Sequence, residues 1–368
     1  MSSSVTRASR RTALLVGINY NNNPSAMLNG CYNDVVNVEQ YLRLNLGYTA
    51  GSITMLTDGN RSSGGTATTT VGASALPPTR QNILAGLSAL VAGMVSGDEA
   101  LFHFSGHGSL VRDTNGDEVT GYDSCLCPLD YNASPSVGGG IITDDELRSL
   151  LVNRVPRGAR LYVILDCCHN GTGCDIRFKY EDYSSLIQPP SAGRAAVWRT
   201  QQKAFVQGKY TETAGEVFMI SGSRDEQTAA DAYINNAFAG ALTYAVFAIL
   251  RANQATIRTY SWSSLLRDVR HFMRVNRYSQ IPQIMTGKLI SPSRAVFTIV
   301  AAAAAARSAS STLELTTGSV GVTIGDGYKD ASASASASAS ASALASTLFG
   351  FIPKSGSNNP RHGMQFIH

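Results

Sequence analysis

Nowhere in the 368 residues is there an apolar run that approaches a membrane span, for which about 20 residues are needed. The tract at 301–306 is apolar, but Arg307 and serines follow at once. The run at 13–18 follows a basic N-terminus, yet it is too short for the core of a secretory leader and reads better as a first buried strand. No membrane partner is expected, and the default address is the cytoplasm. Runs rich in Lys and Arg are missing too. The formal net charge is +4, which is mild for this length and implies no nucleic-acid partner. Charged residues make up only 15% while hydrophobic residues reach 43%, so wholesale disorder is excluded. Cysteine is scarce, with six residues: Cys31, Cys125, Cys127, Cys167, Cys168 and Cys174. Without a leader the expectation is reduced thiols rather than a disulfide framework. The neighbours Cys167 and Cys168 are also poorly placed to bridge one another.

What is present is an alternation. Short apolar runs at 12–18, 52–56, 99–104, 161–165, 216–220 and 295–300 read as strands buried on both faces. Between them, 33–44, 79–94, 144–152, 238–250 and 261–275 carry apolar residues at helical spacing. Asn33-Asp34 and Thr79 are good capping types. Strand–helix alternation predicts an α/β domain with a mostly parallel sheet flanked by helices. Three segments give few element signals. Residues 58–78 read as a long surface loop and 180–215 as a mobile insertion. From 301 onward composition collapses into Ala and Ser, which buries little per residue. The expected organisation is an extension at 1–11, one domain at 12–300 and a low-complexity tail at 301–368.

In a sheet of this kind functional groups gather where strands end and loops begin. Two strand ends stand out. One reads Leu101-Phe-His-Phe-Ser-Gly-His107-Gly108, the other Leu161-Tyr-Val-Ile-Leu-Asp166-Cys167-Cys168-His169-Asn-Gly171. Parallel strands would bring an imidazole and a thiol to one edge of the sheet. A cysteine attacks a carbonyl as its thiolate, and a neighbouring imidazole takes or shares the proton. His107 would then protonate the departing amine. Backbone N–H groups near Gly108 and Cys168 are candidates for the oxyanion site. Taken singly, a buried cysteine is usually core and a histidine usually a satisfied polar group. The joint arrangement at two strand ends argues otherwise.

These residues resemble the type I metacaspases, in the caspase-like clan of cysteine peptidases. Ser105–Gly108 is similar to that family's Ser-Gly-His-Gly motif, and Asp166–Gly171 to its Asp-x-Cys-His-x-Gly motif. Further matches are Ala13–Tyr20, Cys31–Asp34, Gly121–Asp123, Ile141–Leu147, Ile220–Asp231 and, more weakly, Gln280–Gln283. They run from about 12 to 300 in the family's order. The resemblance implies Cys168 as nucleophile and His107 as general acid/base. Cys167 and Asn170 stand where relatives commonly have Ser. Cys167 raises the question of which thiol is active, and motif spacing favours Cys168.

The resemblance also implies an acidic S1 pocket for a substrate Arg or Lys, built from Asp34, Ser105 and Asp166 with Cys31 at its wall. A carboxylate such as Asp166 disfavours a nearby thiolate unless a cation pairs with it, and a basic P1 side chain is that cation. For Asp34 the plainer role is a helix N-cap. Calcium activation is implied at Asp123, Asp144, Asp145 and Asp175, since converging carboxylates suit a hard cation. For Asp144 and Asp145 the plainer role is helix capping. Asp113-Thr-Asn-Gly-Asp117 imitates an EF-hand start, but Glu118 stands at loop position six and Ser124 at twelve. A zinc site at Cys167, Cys168, His169 and Cys174 is too crowded. Relatives often cut themselves after the cysteine strand, which makes Lys203 and Lys209 candidates and Arg199 a weaker one. Expected partners are protein or peptide substrates with basic residues, and the expected state is a monomer. The competing functions are a non-catalytic scaffold and a calcium-independent peptidase of the same specificity.

Overall fold

A computed structural model describes residues 7–59, 76–116, 118, 121–131, 139–168, 173–181, 197–200, 211–222, 231–234 and 237–297. By contacts, residues 1–299 form one compact unit. The second unit, 300–368, lies outside the described residues, as does the expected Ala/Ser tail. The strands are β1 Arg11–Gly17, β2 Ile53–Thr57, β3 Glu99–Ser105, β4 Gly108–Arg112, β5 Tyr122–Leu126, β6 Ile142–Thr143 and β7 Arg160–Asp166. They continue with β8 Phe178–Glu181, β9 Val197–Thr200, β10 Glu216–Ser221, β11 Asp231–Ile234, β12 Ala237–Gly240 and β13 Gln283–Thr286. The helices are α1 Cys31–Leu46, α2 Arg80–Val91, α3 Asp144–Leu150, α4 Ala241–Ala252 and α5 Trp262–Val275. None of the described helices is long and apolar enough to cross a membrane.

The central sheet has eight strands in the order β2-β1-β3-β7-β10-β13-β8-β9. The first five are mutually parallel and the last three join antiparallel. This is the mostly parallel, helix-flanked sheet that the strand–helix alternation predicted. Alternation along each strand feeds two cores. Ala13 and Leu15 of β1 face one layer with Val35, Val38 and Leu42 of α1, Ala245 and Val246 of α4, and Leu265 and Val269 of α5. Leu14 and Val16 face the other, with Ile83 and Leu87 of α2 and Leu147 of α3. Each buried Val, Leu or Ile among them contributes about 1.5–3 kcal/mol relative to leaving it exposed.

Register is fixed at the amino edge by charge. Arg11, Glu99, Arg160 and Glu216 are direct neighbours across β1, β3, β7 and β10. Glu99 pairs with Arg11 and Arg160 at 3.0 Å each, and Arg160 reaches Glu216 at 2.9 Å. Arg294 closes the row on Glu216 with two bonds of 2.6 and 2.8 Å. Burial pushes the Glu216 carboxyl up, but Arg294 and Arg160 outweigh it and hold it below the usual glutamate range. Slipping any of these strands by one residue would break the row.

Several expectations need correction. Of the segment expected as a mobile insertion at 180–215, residues 182–196 and 201–210 lie outside the described residues, while the described part holds the end of β8 and all of β9 at the sheet edge. No strand forms over the described part of 295–300; Ala295 makes one isolated bridge to Ser261. The helix expected from 238 starts at Ala241, because Ala237–Gly240 pairs with β11. The short strands β4, β5, β6 and β13 went unread, since none carries an apolar run as long as those of β1, β3 and β7. Of the loop expected at 58–78, residues 60–75 lie outside the described set.

Candidate active site

The chain order β1, β2, β3 places β2 on one side of β1 and β3 on the other. That reversal opens a crevice at the carboxyl ends of the strands. Gly17, Ser105 and Asp166 sit there side by side in register. His107 follows β3 by two residues and Cys168 follows β7 by two, both half-buried. The two segments touch: a Cβ on Gly108 would lie 2.2 Å from the Cys168 carbonyl oxygen and 3.2 Å from Cys167 Sγ. Only glycine permits that approach. Cys167 is fully buried in the α2/α3 layer, whereas Cys168 is partly open, the setting a reactive thiol needs.

The histidine is held from several sides. Its Nε2 lies 2.7 Å from the Ala26 carbonyl oxygen. A carbonyl only accepts, so Nε2 carries the proton. The His107 backbone N–H donates to Tyr20 Oη at 2.9 Å, and that hydroxyl donates to the Cys127 carbonyl at 2.6 Å. The two rings also pack, with centroids 4.6 Å apart. Tyr20 is buried with φ of 54°, a left-handed backbone that a bulky residue adopts only when its surroundings impose it.

Beside this lies a buried acidic pair. Asp34 accepts from Ser105 Oγ at 2.6 Å and from the Gly240 N–H at 3.0 Å. Asp166 Oδ2 accepts from the Thr243 N–H at 2.7 Å. The two backbone donors are the N-cap residue of α4 and the third residue of that helix, where unpaired amides favour negative charge. A Cβ on Gly240 would stand 2.3 Å from Asp166 Oδ2 and 2.7 Å from Asp34 Oδ2, so the two carboxylates meet across one glycine. The Asp34 capping role is excluded: α1 is capped at Gly30, and Asn19 Oδ1 accepts from the Cys31 N–H at 3.0 Å instead. Cys31 is buried at that helix start, next to Asp34 in the turn.

A second acidic group forms where β4, β5, β6 and α3 meet. Glu118, Asp144 and Asp175 each bring a carboxylate oxygen within 4.8 Å of the others, and all three are buried. Burial, with the charges of Asp175, Glu118 and Asp123, raises the Asp144 carboxyl well above the usual range. Asp123 is therefore close by, and buried. Asp145 adjoins the group: its N–H bonds Asp144 Oδ1, and its own carboxylate accepts from Asn115 at 2.5 Å. Helix capping does not explain Asp144, since Thr143 and Glu146 form the capping box. The donor set fits calcium, because oxygens on opposite sides of one Ca²⁺ at about 2.4 Å are about 4.8 Å apart. Glu118 was missed in the sequence, where it was weighed only as a failed EF-hand position. Its usable signal was the β4–β5 hairpin, which sets its loop beside Asp123.

Comparison with known proteins accords with this geometry. A family profile described as metacaspase, peptidase C14 domain, matches residues 11–177. Metacaspase-1 of Mycosarcoma maydis is 34% identical over 303 residues, covering 75% of this chain and 70% of that protein. The chain belongs to the type I metacaspases. This metacaspase is also 33% identical to Metacaspase-1A of Aspergillus oryzae, over 74% of its own length and 67% of the relative. Against Metacaspase-1 of Yarrowia lipolytica the figures are 33%, 75% and 61%, so it spans roughly three fifths of that relative. A crystal structure of a Geobacter sulfurreducens protein shares the fold, with TM-score 0.50 at 23% identity over 79% of this chain and 99% of that one. The metacaspases are cysteine endopeptidases of the caspase-like clan. Lys203 and Lys209 lie outside the described residues of this one.

Proposed function

We propose that this metacaspase is a calcium-activated cysteine endopeptidase that cleaves after Arg or Lys. The observation that carries the reading is the paired carboxylates of Asp34 and Asp166, buried beside the segments that bear His107 and Cys168. Two anions kept in a cleft call for a cationic side chain. A pocket for an acidic P1 residue would need the opposite charge.

The substrate Arg or Lys lies against Asp34 and Asp166, with Ser105 and Cys31 along the wall. Since Nε2 of His107 donates to the Ala26 carbonyl, Nδ1 takes the thiol proton of Cys168. The Cys168 sulfur attacks the scissile carbonyl, and the N–H groups of Gly108 and Cys168 hold the oxyanion. His107 then protonates the leaving amine, and water frees the acyl-enzyme. Calcium would be held by Glu118, Asp144, Asp175 and Asp123, with Asp145 alongside. Its contribution there would be to order loops. Asp175 lies shortly after Cys168, and β4 begins at Gly108, so the acidic group is linked along the chain to both catalytic segments.

Self-processing at Lys203 or Lys209 is part of the reading. Incubated with Ca²⁺, the wild type is expected to yield two fragments and Cys168→Ala to stay intact; a fragmenting mutant points to a contaminating protease. Specificity is tested with short peptides ending in Arg, Lys or Asp, in Ca²⁺ or in chelator. Cleavage after Asp, or equal rates in chelator, would overturn the assignment.

A further inference from the structure

Strand β3 carries a histidine that the mechanism does not use. The strand is buried along its whole length, and His103 within it is fully buried. Its Nε2 lies 3.0 Å from Thr243 Oγ1, while its Nδ1 has no hydrogen-bond partner. An orphaned buried nitrogen is costly, and an apolar side chain would pack here without that loss. The hydrogen bond to Thr243 is what the histidine adds. Thr243 is buried too, and its backbone N–H donates to Asp166 Oδ2 at 2.7 Å.

His103 and Ser105 are two apart on β3, so they face the same side of the sheet. That side is the layer of α1 and α4, which also holds Leu101. Ser105 supports Asp34 directly. His103 supports Asp166 at one remove, through Thr243. One strand therefore braces both members of the acidic pair from beneath. The Gly240 N–H on Asp34 ties the same turn of α4 to the other carboxylate. The turn keeps its place only if something fixes α4 against the sheet at that level, and the His103–Thr243 bond lies there.

We propose that His103 and Thr243 are positioning residues for charge recognition at P1, locking the first turn of α4 behind Asp166. The proposal rests on the P1 reading above. Its test compares wild type, Thr243→Val, His103→Phe and His103→Gln on peptides with P1 Arg or P1 citrulline, the uncharged near-isostere. Alkylation of Cys168 by iodoacetamide, followed by peptide mapping, is measured in parallel. Wild type should prefer Arg strongly. Thr243→Val and His103→Phe should lose about 5- to 10-fold in kcat/KM for Arg, mostly through KM. They should change little for citrulline and in alkylation rate. His103→Gln, whose amide can still reach the Thr243 hydroxyl, should restore most of the Arg preference. Equal losses on Arg and citrulline, or no loss at all, would overturn the proposal. Thr243→Val answers the question alone if His103→Phe does not fold. A wild type indifferent to the P1 charge refutes the P1 reading itself, and with it this one.

Discussion

Gly240→Ala offers a severe test of the acidic pair because the backbone does not ask for glycine there. Gly240 has φ −65° and ψ 131°, a conformation that any residue adopts, and alanine would even gain about 0.4–1 kcal/mol from a less flexible unfolded chain. The obstacle is space. The new methyl would sit 2.3 Å from Asp166 Oδ2 and 2.7 Å from Asp34 Oδ2. An ordinary carbon–oxygen contact is about 3.4 Å, so something must retreat by about 1 Å. Either the carboxylates turn away or the first turn of α4 lifts. Both routes strain the Gly240 N–H bond to Asp34 and the Thr243 N–H bond to Asp166. Hydrogen bonds to charged groups contribute about 1.5–3 kcal/mol each. With both bonds lost and the gain in the unfolded chain set against them, the expected loss is about 2–5.5 kcal/mol. Urea unfolding at pH 7 would read that as a lower midpoint with unchanged slope, and peptide assays as a fall of about 30-fold or more in kcat/KM for P1 Arg. A variant with wild-type midpoint and wild-type cleavage would show that the two carboxylates do not depend on the glycine between them.

Lowering the pH should expose His103. Burial takes its pKa from 6.5 down to about 3, so the folded protein keeps it neutral while the unfolded chain takes up a proton below about pH 6.5. Its contribution to stability is therefore full above pH 6.5 and falls by about 1.4 kcal/mol per pH unit from there towards pH 3. Urea midpoints measured from pH 7 to 5 should fall less steeply in His103→Phe, and parallel slopes would contradict the argument. Glu118→Gln should raise the calcium concentration for half-maximal cleavage by about tenfold, and an unchanged titration would remove Glu118 from the site. Arg160→Met leaves Glu99 and Glu216 without the cation between them. Discounted for partial solvent exposure, the expected cost is about 1–3 kcal/mol in thermal or urea unfolding, and a neutral substitution would deny the charge row a role in register.

Much of the site was legible because its residues terminate strands. Ser105-Gly-His107 and Asp166-Cys-Cys168 each follow a buried apolar run, and parallel strands deliver such ends to one edge. The helix and strand periods placed β1, β3, β7, α1 and α5 within a few residues of their true bounds. The strands β8 and β9 at and within the segment 180–215 went unread because they are four residues long and their pairing is decided by the neighbouring strand. The supporting residues were silent for another reason. Gly240 and Thr243 act through contacts 206 and 77 positions away in the chain, and each alone looks like an ordinary loop or helix residue, while Asn19 and Tyr20 lay in a family-matching segment with no role attached to them.

The amino-acid order alone determined the layered α/β architecture and the nucleophile and acid/base candidates with Asp166 beside them, since periodicity and strand ends are local properties, whereas Asp34 was implied by the family resemblance. Only the folded chain decided how those carboxylates are held. It brings the first turn of α4 across a single glycine onto Asp34 and Asp166, and it gathers Glu118 with Asp144 and Asp175. Such meetings depend on register and crossing geometry, which are set by packing two cores against one sheet.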